Sequence, residues 1–183
     1  MGLETFKQLI FIIAFVVSPL LAADELRQVC KESQRATTPT EDFVINTDGT
    51  VTHTKTGLTW MRCSVGQVWN NAQQVCVDDG NVANDRYDWN NAVSMVDQYS
   101  YGGHSDWRLP NIKELASIVE LKCFRPAINL EIFPGTHTRG NWLADPNEKD
   151  KYSGWLVYLG YTNSSVDLRK TEGWIRLVRS PKS

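Results

Sequence analysis

The 183-residue sequence predicts an α+β domain stapled by disulfides, and three observations carry that reading. Short β-branched runs separated by Asp-Gly and Thr-Gly turns occupy residues 43–61. Two apolar stripes at helical spacing, each with its own N-cap, follow from Asp88 and Asn111. Alternating apolar residues return from Trp155 to the end. Strands, helices and strands in a chain of this length fit one layered domain with one core.

Composition narrows the function. A formal net charge of −2 argues against a general nucleic-acid binder, which needs excess Lys and Arg to neutralise phosphates. With 42% apolar and 22% charged residues the chain is not of the disordered class. Seven Trp are many for this size; they suit large-ring core packing or a surface that stacks on sugar faces.

The elements read in order. Residues 9–21 are almost wholly apolar, follow Lys7 and precede the small pair Ala22-Ala23. About 13 apolar residues are too few for a span of about 20, so residues 1–23 read as a removable signal peptide with no membrane span left after its removal. A retained anchor is the alternative. Residues 24–42 are polar and read as an extended arm, and residues 43–183 as the domain proper. Phe43-Val44-Ile45, Thr50 to Thr54 and Leu58 to Met61 read as strands turning at Asp48-Gly49 and Lys55-Thr56-Gly57. Asp88 caps a helix whose stripe is Trp89, Ala92, Val93, Val96 and Tyr99, ended by Gly102-Gly103. Asn111 and Glu114 form a capping-box pattern for a second helix with an apolar face of Ile112, Leu115 and Ile118 or Val119. Runs at Trp155 to Leu159, Val166 to Leu168 and Ile175 to Val178 predict a three-stranded antiparallel meander.

All four cysteines lie beyond the leader, as expected of an exported chain. Four Cys allow three pairings, which sequence alone leaves open. The short polar loop between Cys63 and Cys76 favours their closure, which leaves Cys30 for Cys123. No Cys-x-x-Cys or His-x-x-His pattern points to zinc or a redox pair.

Several phrases then line up: Asp48-Gly49-Thr50-Val51-Thr52, Thr56-Gly57-Leu58-Thr59-Trp60-Met61-Arg62-Cys63, and His104-Ser105-Asp106-Trp107-Arg108-Leu109-Pro110-Asn111-Ile112-Lys113-Glu114-Leu115. Phe124-Arg125-Pro126-Ala127-Ile128-Asn129 and Ile175-Arg176-Leu177-Val178-Arg179 follow. Over roughly residues 42–180 the chain resembles the Lcl C-terminal domain family, named for the C-terminal domain of a bacterial collagen-like adhesin. The resemblance implies a C-type-lectin-like fold in exported bacterial proteins, and for the adhesin itself binding to sulfated glycans. Four-Cys members also fit the pairing above. The sequence departs from the family where members carry Trp-Ser-Ser-Ser, reading Asn141-Trp142-Leu143-Ala144-Asp145-Pro146 instead. The paired terminal cysteines of the formylglycine-generating enzymes, which share the broad fold, have no counterpart beyond Cys123.

Candidate chemistry is sparse. Arg108 can face an anionic ligand, or an Arg–Asp pair beside a buried Trp107 can fix a strand-to-helix corner; the second reading is favoured. Asp78, Asp79, Asn81, Asn84, Asp85 and Asp88 offer calcium-type oxygens without EF-hand spacing, and Asp145-Pro146-Asn147 faintly resembles a lectin sugar-and-calcium motif. No cofactor or metal is assigned. His53, His104 and His137 lie far apart with no nucleophile at a recognisable elbow. Arg139, Lys149, Lys151, Arg169, Lys170, Arg176 and Arg179 make the last third basic, interleaved with aromatics. The leading expectation is a non-enzymatic recognition domain, periplasmic or secreted, that binds a glycan, possibly acidic, or a protein surface. The exposed ones among Trp142, Tyr161, Arg169 and Lys170 would make the contact. An envelope assembly component and a cryptic hydrolase are the alternatives.

Overall fold

The computed structural model describes residues 27–80, 86–147, 150–160 and 172–181. The expected leader and the middle run of the expected meander lie outside them. The arm enters as strand β1 (Val29–Cys30), paired antiparallel with β7 (Cys123–Phe124). Strands β2 (Phe43–Ile45), β3 (Thr50–His53) and β4 (Thr59–Met61) form the expected antiparallel run, with Phe43 opposite His53 and Thr50 opposite Met61. The Asp48-Gly49 turn closes because Asp48 Oδ1 accepts from the Thr50 amide at 3.0 Å and its hydroxyl at 2.6 Å. Gly49 has φ +81°, and a side chain there would collide with Trp69 and Tyr101.

Both disulfides form as the loop argument favoured, Cys30–Cys123 and Cys63–Cys76. The shorter one closes a hairpin that the sequence hides: β5 (Gln67–Asn70) pairs with β6 (Val75–Asp78). Its polarity is inverted. Gln67 is buried, its amide oxygen taking the Ser64 N–H, while the apolar Val68, Val75 and Val77 face outward. The valines, the most apolar residues of the alternation, therefore mark the outer face rather than the inner one.

Helix α1 (Trp89–Val96) is capped by Asp88, whose Oδ1 accepts from the Asn91 amide at 2.9 Å. It ends at Val96, well before Gly102, and only Ala92 and Val96 of its residues are buried. Val93, expected in the stripe, is exposed. Helix α2 (Ile112–Ala116) has the full capping box: Asn111 Oδ1 accepts from the Glu114 amide, and Glu114 Oε2 from the Asn111 amide. Leu115 and Ile118 face the core, but Ile112 is 48% exposed. By spacing Ile112 shares a face with Leu115, but it is the first residue of the helix and lies at the edge of the packed face, open to solvent.

The expected C-terminal meander is replaced by a different topology. A long hairpin joins β8 (Gly140–Asn147) to β9 (Asp150–Tyr158), with register shifts on either side of Pro146. The last run does not join that hairpin as a third antiparallel strand: Trp174 makes a single parallel bridge to Asn141, and β10 (Val178–Arg179) pairs antiparallel with β4. The larger sheet is thus ordered β10-β4-β3-β2. Residues 175–178 are all buried and only Val178 of them lies in a strand, and periodicity carries no information about which distant edge a strand joins.

The core falls into two clusters. Trp60, Leu115, Ile118 and Phe133 centre one, and Trp107, Trp142, Leu156 and Ile175 the other. Gly154 lies directly against the Trp89 indole, whose Nε1 donates to the Leu143 carbonyl at 3.1 Å. Gly154→Ala would drive a methyl into that ring. We expect a loss of about 1–3 kcal/mol, read as a lower urea midpoint at unchanged slope.

The arm is held by more than its disulfide. Gln28 Nε2 donates to the Pro126 and Ile128 carbonyls at 2.7 Å each, and the buried Glu120 accepts from the backbone and hydroxyls of Thr37 and Thr38. Replacing Cys30 and Cys123 by Ala should therefore expose the chain to limited proteolysis before Thr37, while the segment from Thr37 onward stays protected.

Candidate functional site

The most specific phrase of the sequence is consumed by the scaffold. Trp107 is buried, and its Nε1 donates to the Tyr101 carbonyl at 3.0 Å. Arg108 grips Glu114 with a two-pronged pair at 2.7 and 2.6 Å, so the cap of α2 is tied to the strand before it. Asp106 is held by Arg179 of β10 at 2.7 and 2.9 Å. The corner reading holds with different partners: the Asp and Arg of the phrase pair elsewhere, not with each other. Arg179 places β10, and the amide and carbonyl of Arg108 both bond Val178.

Two further arginines point inward. Arg176 is fully buried, donating to the Met61 and Arg62 carbonyls at 2.9 and 2.6 Å and to the Thr136 hydroxyl at 2.8 Å. Arg62 donates to the Ile132 and Glu131 carbonyls and stacks 3.9 Å from the Trp69 ring centre. Arg176 and Arg179, counted among the basic residues of the last third, are not a solvated face.

Of the four expected contact residues, Tyr161, Arg169 and Lys170 lie outside the described residues. Trp142 is corrected: it sits in β8, 2% exposed, with Nε1 donating to the Tyr87 carbonyl at 2.6 Å. Its irregular sequence context concealed a strand whose inward face it occupies. What the structure brings together near the ends of segment 161–171 is a groove of about 540 Å³ lined by Thr136, His137, Arg139 and Trp174. The His137 ring lies 4.5 Å from that of Trp174, and the Arg86 guanidinium 5.8 Å from the same indole. Arg139 is exposed, and among the described residues no carboxylate lines the groove. Sequence reasoning named Arg139 and Trp174 only as part of a basic, aromatic third, and had no signal for His137 or Arg86 beside them.

The family model of the Lcl C-terminal domain matches residues 49–179, more than half of the chain. The chain belongs to the Lcl C-terminal domain family. Comparison with curated proteins and with solved structures finds no match. The Lcl match begins at Gly49, so the arm and β2 lie outside it although both pack onto the matched domain.

Within this Lcl domain the remaining candidates have local duties. Asp88 spends both oxygens on Asn91, and Asp145 Oδ2 accepts from the Ile112 amide at the start of α2. Asp78 sits at the end of β6, and Asn81, Asn84 and Asp85 lie outside the described residues. Among the described residues no three metal-binding side chains cluster. His53 is stacked on Phe43 and bonded to the Thr56 hydroxyl; burial pulls its pKa down, with Asp42 opposing. His104 Nε2 is 3.9 Å from Asp48.

The Arg108 pair, and next the Asn111 amide, hold the Glu114 carboxyl below its ordinary 4.5 against the opposing effect of burial. A carboxylate with a depressed folded-state pKa stabilises fully above its unfolded value, and that contribution disappears as pH falls through the folded value. Glu114→Gln should therefore lower stability at neutral pH and flatten its decline between about pH 5 and pH 3, seen as urea midpoints that converge with wild type in acid.

Proposed function

We propose that this protein is an exported recognition domain of C-type-lectin-like architecture, whose groove beside Trp174 takes an acidic glycan. The observation that carries the reading is the groove itself: an aromatic wall, an imidazole and the exposed Arg139, with no carboxylate among its described lining. Indole and imidazole faces suit sugar C–H surfaces, and a guanidinium suits sulfate or carboxylate. Segment 161–171 contributes Tyr161, Arg169 and Lys170 to the same ligand in this proposal. Membership of an adhesin-type family supports an extracellular setting, and two disulfides fit an oxidising compartment.

A second reading has one observation in its favour. The outer face of the β5–β6 hairpin carries exposed Val68, Val75 and Val77, an apolar surface of the kind that docks on another envelope protein.

A glycan array run with and without EDTA, at low and physiological salt, tests the first reading. Sulfated or carboxylated glycans should be retained over neutral ones, and retention should weaken with salt, since exposed charges are screened over about 8 Å at physiological ionic strength. Arg139→Ala combined with Arg169→Ala and Lys170→Ala should weaken binding by about tenfold or more at unchanged Tm. Loss of EDTA-treated binding would assign a cation a role. Capture of an envelope protein that is lost in Val68→Asp, without any glycan signal, would favour the second reading.

A further inference from the structure

A second groove, of about 560 Å³, lies between the N-terminal arm and α2, within the size range of small-ligand pockets. The buried Val157 and Leu159 are among the residues that line it, with Ile112 and Ala116, one turn apart on α2, and Leu121, 54% exposed. None of its described lining residues is charged, so an ion entering it would shed hydration without gaining a counter-charge from them. Its hydroxyls are already committed as donors. Thr37 Oγ1 is placed to donate to the Val119 carbonyl or Glu120 Oε1, Thr38 Oγ1 donates to Glu120 Oε2, and Ser117 Oγ donates to the Glu114 carbonyl at 2.7 Å.

Glu120 makes that commitment firm. Burial, the largest single effect, pushes its pKa up, yet the N–H groups of Thr37, Thr38 and Lys122 together outweigh it and keep the carboxyl ionised and acceptor-only. The threonine and serine oxygens therefore have only lone pairs left for a ligand, Thr37 Oγ1 already lending one to the Leu121 amide, while the Tyr158 ring packs against the second core cluster. A ligand hydroxyl, which has a proton to give, matches those lone pairs.

We propose that this groove binds a small, uncharged, apolar molecule bearing one hydroxyl group, such as a fatty alcohol or an alkylphenol. The site is separate from the glycan groove and independent of it. Thr37 and Thr38 of the arm, outside the family match, supply part of its wall.

The test is a fluorescence titration of the full chain with N-phenyl-1-naphthylamine, a neutral apolar probe with one N–H donor, followed by competition. One saturable site is expected, with 1-decanol displacing the probe at least about tenfold more effectively than decanoate or decylammonium. Ala116→Trp, at an exposed helical position, should fill the groove and weaken probe binding by about tenfold or more, while Val68→Asp leaves it unchanged. Ile112→Ser provides the same readout if Ala116→Trp does not fold. Absence of saturation, equal competition by the ions, or unchanged affinity in a folded groove variant would overturn the proposal. So would probe binding lost equally in Val68→Asp, or a dimer that dissociates in Ala116→Trp, which would give the groove to a second copy of the chain.

Discussion

A guanidinium buried without a carboxylate is expensive unless its protons are spent on other acceptors, and Arg176 is such a group. Its two terminal nitrogens donate to the Met61 and Arg62 carbonyls and to the hydroxyls of Ser64 and Thr136, with the Phe133 ring 5.0 Å away, while Nε has no hydrogen-bond partner among the described residues. Burial pulls its pKa down to about 9, which still leaves it charged at neutral pH. Arg62 extends the bracing to the Ile132 and Glu131 carbonyls. One buried cation therefore joins β4, the turn into the Cys63–Cys76 hairpin and the segment that leads to His137 and Arg139. The wall of the candidate glycan groove is fixed from inside by the same group that fixes the core.

The residues flanking Arg176 repeat this role along the backbone. Gly173 exchanges hydrogen bonds with Tyr87, Trp174 with Gly140 and Trp142, and Val178 with Arg108; Ile175 and Leu177 accept from Val65 and Met61. Gly173 must be glycine for this, since a methyl there would meet Leu156 and Trp142. The terminal segment is thus the shared neighbour of α1, β4, β8 and the corner before α2. A strand that closes so many contacts at the end of the chain makes the fold non-local, and loop-closure entropy must be met before those contacts form. The Cys30–Cys123 bridge, which spans 93 residues, offsets part of that cost by limiting the unfolded chain, by roughly 4–5 kcal/mol in the chain-entropy model.

Legibility in the sequence followed the range of the interactions. The Asp88 cap, the Asn111–Glu114 box and the Asp48-Gly49 turn are local, and each was readable because its partner lies within a few residues. The short disulfide was readable for the same reason. The β5–β6 hairpin was not, because Gln67 is buried by bonds to Ser64 and Gly135 while the valines face outward. Nor was β8, where Pro146 between Asp145 and Asn147 disguises a bulged strand, or the Asp106–Arg179 pair, whose members lie 73 residues apart. Of the expected glycan contacts, Trp142 failed because an aromatic ring reads equally as core or as contact.

These outcomes separate what family membership specifies from what it leaves open. Asp106, Trp107, Arg108, Glu114, Arg176 and Arg179 carry the phrases that define the Lcl domain, and all six are engaged within the protein. Those phrases encode the scaffold, which is why they are specific without being a binding motif. The electrostatic case changes with them. The last third owes part of its formal basicity to Arg176 and Arg179, whose charges are spent inside on carbonyls, hydroxyls and Asp106. Arg86 is offset by Glu172 at 3.6 Å. Among the described residues the positive character of the groove beside Trp174 therefore rests on Arg139, a residue outside every phrase that carried the resemblance. In the proposed reading, the glycan would be chosen by a residue that the scaffold does not need, and changing it would leave the core intact.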